Sequence, residues 1–186
     1  MPHIAILSAS VRRERKSHSV ALYFHSYLQE NNLATTEILD LKEYNFPIFE
    51  DTIKTDKNPS AQVRDFANKI QSAEGIIIVT PEYNGSIPAS LKNAIDLLYD
   101  EWHGKPISLC TVSGGTFGGS QALISLQFIL WKIGAWTVTH MYPVPYVEKA
   151  FDEKGNALDK EKTDKLTQVF LAELLESIKA NQLAET

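Results

Sequence analysis

Cysteine is nearly absent: the chain of 186 residues carries a single one, Cys110, inside the apolar run Ile107–Val112. No intramolecular disulfide can form, a cysteine-ligated metal cluster is ruled out, and a lone cysteine in such a run reads as a small buried hydrophobe. Long apolar runs are missing too. Nothing approaches the roughly 20 consecutive apolar residues that span a bilayer, and the opening MPHIAILSAS has no basic segment leading into a long apolar one. A reducing, cytoplasmic setting with no membrane partner is therefore expected. Positive charge is in short supply, with 18 Lys and Arg against 23 Asp and Glu for a net −5. The field of such a molecule repels nucleic acid. Neither GxxxxGK[ST] nor GxGxxG occurs, which removes most support for a nucleotide-hydrolysing loop or a dinucleotide-binding fingerprint. The five histidines, His3, His18, His25, His103 and His140, are scattered without metal-ligand spacing, so no metal site is expected. No Ser/His/Asp set and no paired carboxylates stand out.

What is present is an ordinary globular composition, 44% hydrophobic and 22% charged, long enough for one substantial core. With no repeat, low-complexity tract or linker, residues 1–186 read as a single domain. Short β-rich runs at His3–Ser8, Thr36–Asp40, Gly75–Thr80, Pro106–Val112 and Trp136–Val144 alternate with stretches of helical period. That alternation predicts a doubly wound, five-stranded parallel sheet with helices on both faces. HIAILS and GIIIVT are near-continuous in apolar residues and should lie centrally. Helices are predicted over Ser17–Asn31, Pro59–Ser72, from Pro88 through Leu91–Tyr99, over Ala122–Ile133 and over Lys160–Asn181. The fourth of these is apolar around most of its circumference, which marks either a deeply buried helix or a subunit interface.

In an open α/β sheet, ligands sit beyond the carboxyl ends of the strands, so the loops there carry the chemistry. The loop after the first strand runs from Ala9 into a helix start. It offers hydroxyls at Ser8, Ser10, Ser17 and Ser19 beside Arg12 and Arg13, a setting that suits a phosphate monoester. Helix capping by Ser17 or Ser19 and a solvated basic run is the competing reading. The loop after the third strand, from Pro81, holds the turn pair Asn84-Gly85 and then Pro88, a rigid shelf for a flat heteroaromatic ring with Tyr83 beside it. Glu82 reads as an exposed acid without a partner. After the fourth strand, Ser113–Gly119 (SGGTFGG) lets backbone approach a ligand closely. One loop suited to phosphate and two suited to a planar ring point to a mononucleotide.

The stretch PEYNGSIPASLKNAID, Pro81–Asp96, resembles the most specific motif of the NADPH-dependent FMN reductase family, and the likeness extends over the whole chain. These are flavodoxin-like proteins that include quinone, azo-dye and chromate reductases. The resemblance implies that Ser10, Arg12, Ser17, His18 and Ser19 hold the FMN phosphate. Pro81, Glu82, Tyr83, Asn84 and Gly85 would line the flavin ring, with Ser113, Gly114 and Gly115 reaching it from the other side. The first loop departs from the family pattern: Ala9-Ser10 replaces Gly-Ser, and Ser17-His18-Ser19 replaces Ser-x-Asn. The resemblance further implies a homodimer or homotetramer, in keeping with the over-apolar helix. It implies a ping-pong reaction in which NADPH or NADH delivers hydride and leaves before a small acceptor enters. Quinone, azo compound, free flavin and metal oxyanion all remain open as acceptors. A preference for NADPH requires a cation near its 2′-phosphate, for which Arg13 and Arg15 are candidates. The alternatives are a flavodoxin-type electron carrier, against which the mild net charge and basic first loop weigh, and a non-catalytic flavin-binding module.

Overall fold

Isoleucine, valine and leucine supply the middle of each central strand, and their branched side chains favour the pleated, doubly covered environment of a parallel sheet. The computed structural model describes residues 1–184; Glu185 and Thr186, the end of the expected domain, lie outside the described residues. The strands are β1 His3–Ser8, β2 Thr35–Asp40, β3 Gly75–Pro81, β4 Pro106–Val112, β5 Trp136–Thr137 and β6 Tyr142–Val144. All pair in parallel in the order β2-β1-β3-β4-β5, with β6 also on β4. This is the flavodoxin-like order, whose ligand crevice opens where the chain reverses direction between β1 and β3. Every residue of β3 and β4 is buried.

The helices are α1 Ser17–Glu30, α2 Leu41–Tyr44, α3 Ala61–Ser72, α4 Ala89–Asp96, α5 Ser120–Lys132, α6 Val147–Ala150 and α7 Lys160–Ala184, with a 3-10 turn at Asp100–Trp102. α1 and α7 cover one face, where Phe24 packs 5.3 Å from Phe170 and 5.2 Å from Tyr142. α3, α4 and α5 cover the other around Phe66 and Trp102. In α3, Val63, Phe66, Ala67 and Ile70 form the buried stripe, and Ser60 caps its start by accepting from the Val63 amide at 3.2 Å. Burying a side chain such as Phe66 contributes about 1.5–3 kcal/mol. α4 stops at Asp96, short of the expected Tyr99. The indole of the buried Trp102 donates to the Ile95 carbonyl at 3.2 Å, at the point where the chain breaks into the 3-10 turn.

The expected last strand, Trp136–Val144, is two pieces. Between the pairs Ile107↔Thr137 and Cys110↔Tyr142, four residues, Val138–Met141, stand opposite two, Ser108 and Leu109. The Val138 amide still reaches Ile107, but those of Thr139 and His140 turn to the Glu173 carboxylate on α7, at 3.3 and 2.7 Å. A carboxylate that accepts two amides outcompetes the ladder locally. α5 is not deeply buried. Ala122, Leu126 and Leu130 face the core, while Ile124, Phe128 and Trp131 are 68%, 63% and 67% exposed.

Candidate active site

The carboxyl ends of β1, β3 and β4 present their three loops around one cleft of about 310 Å³. In the first loop, Ser10 Oγ lies 2.7 Å from the Tyr83 hydroxyl, and the Arg12 guanidinium sits 5.7 Å from the Tyr83 ring centre. No acidic side chain pairs with Arg12 among the described residues. Ser17 lines the cleft, its buried hydroxyl has no hydrogen-bond partner among the described residues, and no side chain caps the start of α1. A buried hydroxyl left unsatisfied costs free energy; Ser108 and Thr111 on β4 share that condition, and Ser17 is set apart from them by its place in the cleft lining. Arg15 behaves differently. Its guanidinium forks onto both carboxylate oxygens of Asp40 at the end of β2 and also donates to the Ser10 carbonyl at 3.0 Å. It is a strap that holds the loop, and its charge is spent.

His18 and Ser19 are not brought into the cleft lining. His18 turns toward β2, its Nδ1 3.0 Å from Ser8 Oγ and 3.8 Å from Asp40. Burial and the nearby Arg15 charge lower its pKa, leaving the ring neutral near pH 7. Ser19 is buried, with its amide bonded to the Lys16 carbonyl at 3.2 Å.

The second loop is built on a two-residue turn. Tyr83 and Ser86 exchange backbone hydrogen bonds of 2.9 and 3.1 Å across Asn84 and Gly85, whose φ values of 52° and 76° are both positive. Asn-Gly is the pair that adopts this geometry with least strain. At Gly85 any Cβ would also stand 2.5 Å from Gln121 Oε1. The turn itself lies outside the cleft lining and holds Pro81, Glu82 and Tyr83 within it. Glu82 is not the partnerless acid that the sequence suggested. Its Oε2 accepts from the amides of Gln121 and Ala122 at 2.9 and 3.1 Å, capping α5, whose own N-cap residue is glycine.

In the third loop Ser113 and Gly114 line the cleft, and a Cβ at Gly114 would meet nothing within 4 Å. Gly115 is set just behind, its amide donating to Ser113 Oγ at 3.2 Å. The loop is joined to the segment after β6, since the Tyr146 and Val147 amides donate to the Gly115 and Ser113 carbonyls at 3.2 and 3.1 Å. That junction brings Val147 and Glu148 to the cleft, where sequence reasoning had not placed them. Nothing in their local sequence signals it.

The flavodoxin-like strand order, with a cleft at the carboxyl ends of β1, β3 and β4, is the arrangement of a mononucleotide-binding α/β domain. A family profile described as NADPH-dependent FMN reductase matches residues 2–149. The NAD(P)H-dependent FMN reductase LOT6 of Saccharomyces cerevisiae is 34% identical over 140 residues, 68% of this chain and 72% of its own. A quinone reductase of Pseudomonas putida is 30% identical over 196 aligned positions, covering 96% of each chain. Among solved structures, FerB, a flavoenzyme NAD(P)H:(acceptor) oxidoreductase from Paracoccus denitrificans, superposes with a TM-score of 0.78. It is 23% identical, over 97% of this chain and 99% of that one, and supports the fold. The chain belongs to the NADPH-dependent FMN reductase family, and is an oxidoreductase that uses FMN and takes electrons from NAD(P)H.

Proposed function

We propose that this protein reduces a quinone, in the cytoplasm and as a homodimer, with FMN held in the three-loop cleft. The observation that carries the cleft assignment is that Ser17, whose hydroxyl has no hydrogen-bond partner among the described residues, and Arg12, with no acidic partner among them, line the same cleft. Ser10, Arg12 and Ser17 bind the phosphate; His18 and Ser19 support the loop from behind. Pro81, Glu82 and Tyr83, held up by the Asn84-Gly85 turn, form one wall of the ring slot. Ser113 and Gly114, with Gly115 behind them, form the other. FMN, when bound, supplies the hydride-accepting and electron-donating chemistry. The protein's part is to orient the ring and leave one face open to successive flat substrates, so it needs no acid–base dyad.

The full-length likeness to a quinone reductase favours quinone over an azo compound, free flavin or a metal oxyanion. Use of NAD(P)H and the free, buried Cys110 favour the cytoplasm. The exposed row of Ile124, Phe128 and Trp131 favours a second copy over the outer face of α5.

An absorbance spectrum followed by anaerobic titration tests this reading. A flavin spectrum that bleaches with NADPH and returns on adding a benzoquinone is expected. A colourless protein that FMN does not reconstitute overturns the cleft assignment. Slow bleaching with no quinone-dependent turnover favours an electron carrier instead.

A further inference from the structure

A second cavity, about 370 Å³, lies between the segment leaving β6 and the start of α7. α6, one helical turn about 6 Å long, divides it from the flavin cleft: Val147 and Glu148 face the cleft, and Lys149 lines the cavity. Tyr146 on its wall holds a left-handed backbone (φ 46°, ψ 50°), which costs a bulky residue on the order of 1 kcal/mol or more. Its amide bond to Gly115 and a 2.6 Å contact between its hydroxyl and Thr116 Oγ1 over-determine that conformation. The strained residue, 44% exposed, thus joins the third flavin loop to the second cavity.

The charge on this cavity is unspent. Along α7, Lys160 pairs with Asp164 and Lys165 with Glu161, whereas the ammonium groups of Lys149 and Lys162 have no carboxylate partner among the described residues. Lys149 lies 5.5 Å from the Tyr146 ring centre. Asp159 also lines the cavity, but its Oδ1 accepts from the Lys162 amide at 3.2 Å as a helix cap. Apolar walls from Phe151 and Leu166 complete a site suited to a flat heterocycle bearing a phosphate.

We propose that this cavity binds the adenosine end of the dinucleotide donor, with Lys149 and Lys162 engaging the 2′-phosphate that distinguishes NADPH from NADH. The proposal rests on NAD(P)H as donor and adds where its remote end is read. It also replaces Arg15, whose guanidinium is committed to Asp40. Arg13, exposed in the first loop, is the competing cation.

The test combines steady-state kinetics of the flavin-loaded protein with calorimetric titration of adenosine 2′,5′-bisphosphate. In Lys149→Gln/Lys162→Gln, KM for NADPH should rise about tenfold or more, the worth of one lost charge-assisted contact. KM for NADH should move less than twofold, flavin content should be unchanged, and the wild type's binding of the bisphosphate should disappear. An equal shift for both donors, no shift, or the NADPH-selective loss appearing in Arg13→Gln instead overturns the assignment. If the wild type oxidises neither nucleotide, the donor reading itself fails; bisphosphate binding then still decides whether the cavity takes a phosphorylated adenosine.

Discussion

Arg15 lies in a basic run that looks made for an anion, yet its partner is Asp40, 25 positions along the chain. The pair has a pH signature. Burial would raise the Asp40 carboxyl, but the hydrogen bonds from Arg15 and the Lys42 amide, with the Arg15 charge, hold it below its ordinary value. A depressed carboxyl contributes stability that is fully present above the unfolded pKa, about 4, and is lost as pH falls through the folded one. His18 is depressed as well, by burial first and then by Arg15 and Lys42, against Asp40 and Glu43 which raise it. The native state then binds fewer protons than the unfolded chain between the folded pKa and about 6.5, so stability falls as pH drops across that window. Urea denaturation at stepped pH should show this slope, and His18→Gln should flatten it, while Asp40→Asn should remove the further loss below about pH 4. A wild type with constant stability from pH 7 to 5 would contradict the first part. The basic residues were legible in the sequence; which of them remain free was not, because pairing depends on β2 lying beside β1.

Among the elements, those with local signals read well. Pro59 ahead of α3, Pro88 before α4 and the Asn84-Gly85 turn all announce themselves, since helix starts and turns are chemistry of neighbouring residues. The split of the last strand did not, because Glu173 lies 34 residues from Thr139. The cap on α5 was hidden for the same reason: Glu82 is 39 residues from Gln121, and Gly119 at the N-cap has no side chain to offer. Glu82→Ala should therefore cost about 1 kcal/mol of stability by urea denaturation, the usual worth of a helix cap. Glu82→Gln, which keeps an acceptor but not the charge, should lose less. If alanine is neutral, the carboxylate does not cap the helix in solution.

At the scale of the whole molecule, the parallel sheet, its two central strands and the three loops were legible because apolar runs and helical periods alternate along the chain, whereas the strand order is a matter of tertiary pairing that no local pattern carries. The outer face of α5 was legible only as an excess of apolar residues, which composition cannot resolve into burial or exposure. With Ile124, Phe128 and Trp131 directed outward, sedimentation at micromolar concentration should give a multiple of 20.8 kDa. Phe128→Glu should shift it to the monomer with the flavin spectrum intact, because a buried unpaired charge at an interface costs several kcal/mol. A wild-type monomer would refute the interface. The broken fifth strand carries one more consequence. An open sheet is a template for its own extension, and a stray chain docks most readily on a long, straight row of free amides and carbonyls. On this side the row ends after two residues, resumes for three, and between them has the Thr139 and His140 amides turned onto Glu173. That interruption denies an incoming strand a continuous ladder, and so guards the fold against edge-to-edge fibre growth.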